Sequence, residues 1–332
     1  MSDKKMYGQF FTIVNPFDID VFKQWFQLIP EGKREKLLEP FAGSNNIVKM
    51  IKDLGYNYNW GCYDIAPNDY NAAPEFPIIQ QDTISCFPTG YSIAITNPPY
   101  LAKNSATRSG ISFPYSNYDD LYKVCLDVML SNLDYVAAII PESFINANEF
   151  YDRLYAFVSL TCKMFEDTDC PVCLVLFMPK EQKIKVKLPI DDFYIYRQNK
   201  KIGTYLQLKD KKPVSKIAIE WKFNDPDGTI GIKCIDNTKN PSICFVPGNQ
   251  IDKSKVKVSS RSITRVSGLP NDISINDFIK ECNIKLNTYR EETNDIFLTS
   301  FKGLREDNMY RRRLDFANAK VIMNSVVENI RK

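Results

Sequence analysis

Two uninterrupted apolar runs constrain the fold of this chain most strongly. Residues 135–140 contain Ala-Ala-Ile-Ile, and residues 172–177 read Val-Cys-Leu-Val-Leu-Phe. Short runs without polar alternation are typical of strands that are buried on both faces of a parallel sheet. The spacing of apolar residues also predicts helices over 16–28, 46–54, 119–131 and 147–160, and further strands over 36–41, 60–63, 77–80 and 92–96. This alternation predicts an α/β fold with a doubly wound, mostly parallel sheet.

The pattern changes after Pro179. Short apolar runs broken by Lys, Asp, Asn, Pro and Gly predict strands over 184–186, 193–196, 205–208, 217–223, 230–235 and 243–246. From Ile275 onward the spacing becomes helical, and one face of the predicted helix carries Phe278, Ile279, Cys282 and Leu286. We therefore predict two domains, residues 1–180 and residues 181–332, the second of α+β type.

The composition excludes several kinds of chemistry and of location. The chain has no histidine, which rules out Ser-His-Asp and Cys-His catalysis and His-ligated metals. Nine cysteines without a secretion signal predict reduced thiols and a cytoplasmic protein. Cys170 and Cys173 have no second pair at zinc-site spacing, so we expect strand residues and no metal site. No apolar run is long enough to span a membrane.

Charge is distributed unevenly along the chain. Residues 1–180 hold 14 Lys and Arg against 21 Asp and Glu, whereas residues 181–332 hold 29 against 19. A basic second half indicates a polyanionic partner, most simply a nucleic acid. The alternative is a lysine-rich solvated surface, which the charge count alone does not separate from the first interpretation.

The tetrapeptide Asn97-Pro98-Pro99-Tyr100 follows the predicted strand over 92–96. The Asn97 side-chain oxygen and the Pro98 carbonyl can both accept hydrogen bonds from one planar NH2 group. The two prolines stiffen the turn, and Tyr100 offers a flat face for stacking. The run is therefore a candidate clamp for an exocyclic amine.

Other polar residues follow the earlier strands. Residues 38–45, which read Leu-Glu-Pro-Phe-Ala-Gly-Ser-Asn, form a small-residue turn before a helix, where a ligand can approach backbone N–H groups. Asp64 and Asp82 follow the next two predicted strands. Because ligands of open α/β sheets bind beyond the carboxyl ends of the strands, the turn, Asp64, Asp82 and Asn97 are expected on one rim.

With these motifs in order, the chain resembles the S-adenosylmethionine-dependent N6-adenine DNA methyltransferases of bacterial type II restriction–modification systems, in the gamma motif order. Residues 8–12, Gly-Gln-Phe-Phe-Thr, match the first motif of that family. Residues 39–45 match its cofactor loop, and residues 97–100 its catalytic motif. Asp120-Leu121-Tyr122 and residues 139–143 resemble the two motifs that follow. The matches cover residues 7–178, about half of the chain.

The resemblance implies a class I methyltransferase fold with a seven-stranded sheet, followed by a target-recognition domain that binds double-stranded DNA. It implies S-adenosylmethionine as the cofactor, with the ribose on Asp64 and the adenine amine on Asp82. The implied cofactor-binding residues are Gln9, Phe10, Thr12, Glu39, Pro40, Phe41, Gly43, Ser44, Asn45, Asp64, Ile65, Asp82 and Asn97. Asn45 stands where the family usually has glycine, so its side chain could narrow the approach to the cofactor. Whether a separate cognate restriction endonuclease acts on the same site stays open.

The residue types indicate how an aromatic amine could be methylated. Two acceptors off the ring plane, the Asn97 oxygen and the Pro98 carbonyl, favour a pyramidal nitrogen whose lone pair is free for an in-line displacement. A base inside duplex DNA has to be flipped out and stacked on aromatic faces. Tyr100 is one candidate face. Phe165 matches the position of the family's second aromatic, although it could equally pack the core.

Candidate DNA contacts lie in both halves of the chain. Residues 101–118 form a Ser/Asn-rich loop of low helix and strand signal, and we expect it to close over the base while Lys103 and Arg108 meet phosphates. The alternation at Lys253, Lys255 and Lys257 predicts that these lysines share one face of a strand. Further predicted contacts are Arg261 and Arg265, and Arg311, Arg312 and Arg313 in a helical context.

Three alternative functions remain open. The same tetrapeptide chemistry serves enzymes that methylate a glutamine amide or RNA, and N4-cytosine methylation is a related variant. The loose pattern Asp210…Glu220-Trp221-Lys222 would fit a metal-dependent nuclease. A non-catalytic DNA-binding subunit is the third possibility.

Overall fold

A computed structural model describes residue 10 and residues 12–114, 116–166 and 168–332. The chain divides into two compact units, Met1–Tyr205 and Leu206–Lys332. The division lies after Tyr205 rather than near residue 180. The reason is that the two strands between residues 194 and 204 belong to the sheet of the first unit.

The strands are β1 (Lys36–Glu39), β2 (Asn59–Asp64), β3 (Ile78–Gln80), β4 (Ile93–Thr96), β5 (Tyr135–Pro141), β6 (Leu154–Ser159), β7 (Val172–Phe177), β8 (Tyr194–Arg197), β9 (Lys200–Thr204), β10 (Lys222–Phe223), β11 (Ile230–Lys233), β12 (Cys244–Pro247), β13 (Ile263–Ser267), β14 (Thr299–Leu304) and β15 (Tyr310–Arg313). The helices are α1 (Asp20–Leu28), α2 (Asn46–Asp53), α3 (Lys103–Ser109), α4 (Leu121–Asn132), α5 (Lys180–Lys185), α6 (Tyr205–Lys209), α7 (Ile275–Thr293) and α8 (Phe316–Ile330).

The first unit is built on one mixed, mostly parallel sheet. Among the described residues its strand order is β3-β2-β1-β4-β5-β7-β6-β8-β9. The strands from β3 to β5 are parallel neighbours, and β7 runs antiparallel to both β5 and β6. The predicted α/β sheet is confirmed, but it has nine strands instead of seven, because the hairpin of β8 and β9 extends the edge next to β6.

The two apolar runs lie where the sequence places them, at the centre of this sheet. All residues of β7, and all of β5 except Pro141, are buried. The predicted helix over 147–160 is wrong, because residues 154–159 form strand β6 instead. Asn148 and Phe150 both have a positive φ, which ends any helix there, and the aromatic and β-branched residues that follow favour a strand.

The second unit combines a four-stranded antiparallel sheet, in the order β10-β13-β11-β12, with the hairpin β14–β15 and the helices α7 and α8. The predicted helix from Ile275 is confirmed, and its apolar face is buried. The strands predicted over 184–186 and 205–208 are wrong, since residues 184–185 lie in α5, Val186 is the C-cap of α5, and residues 205–208 lie in α6. Lys and Gln in both segments, together with Glu in α5 and Leu in α6, favour a helix.

Buried charges organise the second unit. Asp236 is fully buried and accepts hydrogen bonds from Arg290, with Oδ–Nη distances of 2.8 and 2.9 Å, and from Arg305 at 3.0 Å. Asp295 also accepts from Arg290, at 2.7 Å. Paired and hydrogen-bonded charges of this kind are costly to break, so these arginines serve the fold. In the described part of the chain, no helix combines the length and the apolar character that a membrane crossing requires.

Candidate functional site

The candidate site lies where the order of the sheet reverses. Strands β1 and β4 are parallel neighbours, and the chain continues from them toward opposite edges of the sheet. Glu39 ends β1 and Thr96 ends β4, and the Thr96 hydroxyl donates to Glu39 Oε1 at 2.5 Å. Ligands of doubly wound folds bind in the crevice beyond the strands at such a reversal.

A cavity of about 680 Å3 opens at this point. Its size is within the range of sites for drug-sized ligands, roughly 300–1,000 Å3. The described residues that line it are Phe10, Thr12, Glu39, Phe41, Ala42, Gly43, Ser44, Asn46, Ile47, Asp64, Ile65, Asp82, Thr83, Ile84, Ser85, Asn97, Pro99, Leu101, Ser109, Gly110, Ile111, Ser112, Pro114 and Leu121. This set contains three carboxylates and no lysine or arginine, so the cavity favours a cationic ligand and disfavours a polyphosphate.

Glu39 is the most deeply buried of the three acids, with 1% of its surface exposed. Burial raises the pKa of Glu39 to about 8, and Asp64 adds repulsion. Hydrogen bonds from Thr96 and from the Phe41 N–H act in the opposite direction but do not cancel the effect of burial. Glu39 is therefore mainly protonated at neutral pH, and a cation placed beside it would favour its charged form.

Asp64 and Asp82 stand at the ends of β2 and β3 and stabilise the turns around the cavity. Asp64 accepts from the N–H of Gly43 and from that of Ala66, each at 2.8 Å. Gly43 has a φ of 53°, the left-handed conformation that glycine adopts without strain. Asp82 is exposed and accepts from Ser85 Oγ at 2.6 Å and from the Ile84 N–H at 3.0 Å. Both carboxylates are thus held rigidly at the cavity wall.

The Asn45 side chain does not narrow the cavity. Asn45 has a φ of 58° and is fully buried, and its Nδ2 donates to Asn71 Oδ1 and to the Phe76 carbonyl, each at 3.0 Å. It is not among the residues that line the cavity. The turn therefore keeps the left-handed conformation that the sequence requires, while the side chain anchors the segment that follows β2.

Asn97 extends the polar rim from β4 toward a group of aromatic rings. Its Nδ2 donates to the Phe10 carbonyl at 2.6 Å, and its Oδ1 accepts from the Tyr100 hydroxyl at 2.5 Å. The same hydroxyl lies 2.6 Å from the Ile139 carbonyl, so one proton has two acceptors. Burial raises the pKa of Tyr100 well above its usual value, so the hydroxyl keeps this proton.

Phe10, Tyr100 and Phe165 pack against one another beside Asn97. The Phe10 ring is stacked on Tyr100 with a centroid distance of 5.6 Å, whereas Phe165 meets Tyr100 edge-on at 6.1 Å. Tyr100 is 9% exposed and Phe165 is 1% exposed. A planar ring held between two faces needs about 7 Å between them, so no base fits between Tyr100 and Phe165 in this arrangement. Phe10 covers the face that a base would use.

The segment after the tetrapeptide forms one wall of the cavity. Residues 103–109 form helix α3 rather than the irregular loop that was predicted, and residues 109–112 and Pro114 line the cavity. The base of the segment is closed by the Lys103 N–H to Asp119 carbonyl bond at 2.8 Å and the Leu121 N–H to Leu101 carbonyl bond at 3.0 Å. Lys103 and Arg108 are exposed on it.

The structure brings most of the predicted rim together. Of the predicted cofactor residues, Pro40 and Asn45 are not part of the lining, and Gln9 lies outside the described residues. Of the predicted catalytic turn, Asn97 and Pro99 line the cavity, whereas Pro98 and Tyr100 are buried and are not part of the lining. Sequence reasoning missed Thr83 and Ile84, although both follow Asp82 directly and their position could have indicated them.

The predicted DNA contacts of the second unit differ in their surroundings. Lys255, Lys257 and Arg261 are exposed, but Lys253–Lys255 form a short 3-10 helix, so the shared strand face is wrong. Arg265 donates to the carbonyls of Ile251 and Pro226. The helical context predicted for residues 311–313 is also wrong, because they belong to β15.

These three arginines are held mainly by the fold. Arg312 is 1% exposed and donates to Ser300, Arg311 donates to the Asp236 carbonyl, and Arg313 is half-buried. Of the alternative nuclease pattern, Asp210 and Glu220 are exposed, and Lys222 lies 3.3 Å from Asp225. The described residues contain no group of three or more Cys, Asp and Glu that could hold a metal ion.

No protein-family model matches the chain, and no curated protein matches it. Among solved structures, it is similar to the methyltransferase subunit of a type I restriction–modification system from Streptococcus thermophilus, at 16% identity and a TM-score of 0.40 over 57% of this chain. It spans 47% of that subunit, about half of its length.

Two further solved structures are similar over more of the chain. The M protein of the type I restriction enzyme EcoKI aligns at 11% identity and a TM-score of 0.36, over 90% of this chain and 67% of that one. The type IIG restriction endonuclease BpuSI aligns at 13% identity and a TM-score of 0.35, over 83% of this chain and 30% of that one. TM-scores this low do not indicate a shared function, so the function is inferred from the residues of the cavity.

Replacing Glu39 with Gln should change how stability depends on pH. Because the pKa of Glu39 is raised in the folded state, the folded protein binds more protons than the unfolded chain between its ordinary value and about 8, and the free energy of unfolding falls as pH rises through that range. Gln cannot titrate. Between pH 5 and pH 9 the variant should therefore gain on the order of 4 kcal/mol relative to the wild type, measured by urea unfolding. The exposed Glu31→Gln variant is the control. If the free energy of unfolding of Glu39→Gln depended on pH in the same way as that of the wild type, the prediction would be contradicted.

Replacing Asn45 should separate its backbone role from its side-chain role. Asn45→Gly keeps the left-handed turn and loses two hydrogen bonds, which should lower the free energy of unfolding by about 1–2 kcal/mol. Asn45→Ala should cost about 1 kcal/mol more, because alanine is strained at this φ. Urea denaturation of both variants measures the difference, and equal stability of the two would show that the backbone conformation is not what Asn45 supplies.

Proposed function

We propose that the chain is an S-adenosylmethionine-dependent DNA methyltransferase that transfers a methyl group to adenine N6 in double-stranded DNA, as part of a restriction–modification system. The observation that carries the proposal is that one cavity is lined by Glu39, Asp64 and Asp82 together with Asn97. One part of that rim suits a cationic cofactor, and the other suits an amine to be methylated.

The residues of the cavity fit S-adenosylmethionine. The ligand carries a sulfonium, an ammonium, a carboxylate, ribose hydroxyls and an adenine, is cationic overall, and would supply an electrophilic methyl group. Three carboxylates and no basic side chain in the described lining match its positive charges and its hydrogen-bond donors. Thr12 lines the cavity, and its Oγ1 is buried without a hydrogen-bond partner among the described residues, so this oxygen is free to pair with a polar ligand.

Each acid has its own place in this proposal. Glu39, whose pKa is raised, would face the ammonium and become charged beside it. Asp64 would accept from the ribose hydroxyls and Asp82 from the adenine amine, as the family resemblance implies. The apolar side chains of Phe41, Ile65 and Ile84 would cover the faces of the adenine.

The acceptor amine would be held by the Asn97 side chain and the Pro98 carbonyl. The Phe10 carbonyl holds Asn97 Nδ2, which leaves Oδ1 as the atom that can accept from a substrate N–H. The Tyr100 hydroxyl occupies Oδ1 in this arrangement, but it can donate to the Ile139 carbonyl instead. Two acceptors on one amine favour its pyramidal form and expose the lone pair.

A flipped adenine would replace the Phe10 ring on the face of Tyr100. The aromatic group is closed as it stands, and the ring of Phe10, which also lines the cavity, is the member that is stacked on Tyr100, at an interplanar angle of 30°. Phe165 would form an edge-on wall rather than the second face of a stack. The segment that carries Lys103 and Arg108 would then close over the base and meet phosphates.

Replacing Asn97 with Ala tests the reaction. Loss of a preorganised acceptor should lower methyl transfer by about 100- to 1,000-fold, while cofactor binding changes far less, since the three acids remain. Transfer is measured with labelled S-adenosylmethionine on double-stranded DNA, RNA and a protein bearing an exposed glutamine amide, followed by nucleoside analysis. Asn132→Ala, an exposed asparagine of α4, is the matched control.

The product identifies the acceptor. N6-methyladenine in DNA supports the proposal. Label found only in RNA or protein, or on N4 of cytosine, would assign the same cavity to one of the alternative substrates, and unchanged transfer by Asn97→Ala would remove Asn97 from the reaction.

A further inference from the structure

A loop of the second unit has the properties of a preformed contact surface. This basic loop, residues 252–261, carries Lys253, Lys255, Lys257 and Arg261, all exposed. Lys253 lies 3.5 Å from Asp227, whereas no ion pair within the described residues engages the other three cations. The only acid of the loop, Asp252, accepts from Ser254 N–H and Oγ at 2.9 and 2.7 Å. The loop thus carries more positive charge than Asp252 and Asp227 offset.

The base of the basic loop is fixed on the antiparallel sheet. The buried side chains of Ile251 and Val256 anchor it. Ile251 packs against Gly231, where an added Cβ atom would be 2.9 Å from Ile251 Cδ1, so any larger residue at position 231 would displace the Ile251 side chain. Arg265 donates to the Ile251 carbonyl at 2.8 Å and to the Pro226 carbonyl at 2.7 Å. Arg265 therefore positions the loop instead of offering a free guanidinium.

The tip of the loop is also rigid. Residues 257–260 form a turn in which the Ser260 N–H donates to the Lys257 carbonyl at 2.8 Å and the Lys257 N–H donates to Ser260 Oγ at 2.9 Å. Asn224 Nδ2 donates to the carbonyls of Val258 and Ser260 at 2.9 and 3.2 Å. Val258 is 96% exposed at this tip. The hydrogen-bonded turn keeps Val258 exposed, with a cationic residue before it and another after it in the loop. Such a side chain can contact apolar atoms of a polyanion while the cations contact its negative charges.

We infer that the basic loop enters a groove of duplex DNA, with Lys255 and Lys257 on phosphates, Val258 against base edges and Arg261 within reach of them. The inference rests on the proposed function, which makes duplex DNA the substrate. Apolar side chains read the thymine methyl group in the major groove and contact base steps in the minor groove. Because the turn is already ordered, binding loses little conformational entropy. Of the DNA contacts predicted in the second unit, Lys255, Lys257 and Arg261 are the ones that this loop would supply.

The test measures binding of the full chain to a random-sequence duplex of about 30 base pairs as a function of salt concentration. Lys255→Ala with Lys257→Ala should weaken binding and reduce the slope of log K against log salt by about two, since two phosphate contacts are lost. Val258→Ser should weaken binding several-fold and leave the slope unchanged, since an apolar contact releases no counterions. Lys280→Ala with Lys320→Ala, two exposed lysines of α7 and α8, is the control.

Each outcome decides the inference. Slope changes confined to the loop lysines, together with a salt-independent loss for Val258→Ser, support it. An equal loss of binding in the control variant would overturn the inference, because the attraction would then come from diffuse surface charge. Wild-type binding by the loop variants would also overturn it, as would tighter binding of a duplex RNA of the same length. A wild-type chain that binds DNA through the loop but transfers no methyl group would refute the proposed reaction alone.

Discussion

The hydrogen bond between the Thr96 hydroxyl and Glu39 joins the two strands on which the candidate site depends. It links the carboxyl ends of β1 and β4 where the order of the sheet reverses, and Asn97 is the next residue after Thr96. A carboxyl group as buried as Glu39 is stable only with such partners. The bond therefore holds the acid that would face a cofactor and the amide that would hold an acceptor at a constant separation.

The polar groups of this site are held by the fold before any ligand arrives. Asp64 accepts from two backbone N–H groups, Asp82 caps its own turn, and the Phe10 carbonyl holds the Asn97 amide. Fixed dipoles of this kind act without reorganisation at the moment of reaction. The exception is the aromatic group, in which Phe10 lies on the face of Tyr100 and has to move before a base can stack there. Under the proposed function, a flipped base would use the fixed acceptors and would have to displace the Phe10 ring.

A feature of the structure can be predicted from the sequence only where it requires a recognisable local pattern of residues. The strands that lead to the cavity are predicted because buried strands are apolar on both faces, and the rim is predicted because parallel strands end at one edge. Residues 147–160 mislead because short apolar segments fit a helix and a strand equally well, and only the positive φ of Asn148 and Phe150 excludes the helix. The direction of the Asn45 side chain depends on Asn71 and Phe76, which no local pattern connects to it.

The sequence also does not distinguish the roles of individual basic residues, whereas the structure does. Arg312, Arg265 and Lys257 are equal in a sequence count, yet the first is buried, the second braces a loop and the third is exposed. What remains after this sorting is a cavity lined by carboxylates in the first unit and an unneutralised basic loop in the second. A polyanion is repelled by the first and attracted by the second, and a small cation behaves in the opposite way. Under the proposed function, the carboxylates of the cavity would favour the cationic cofactor, and the basic loop would favour the nucleic acid.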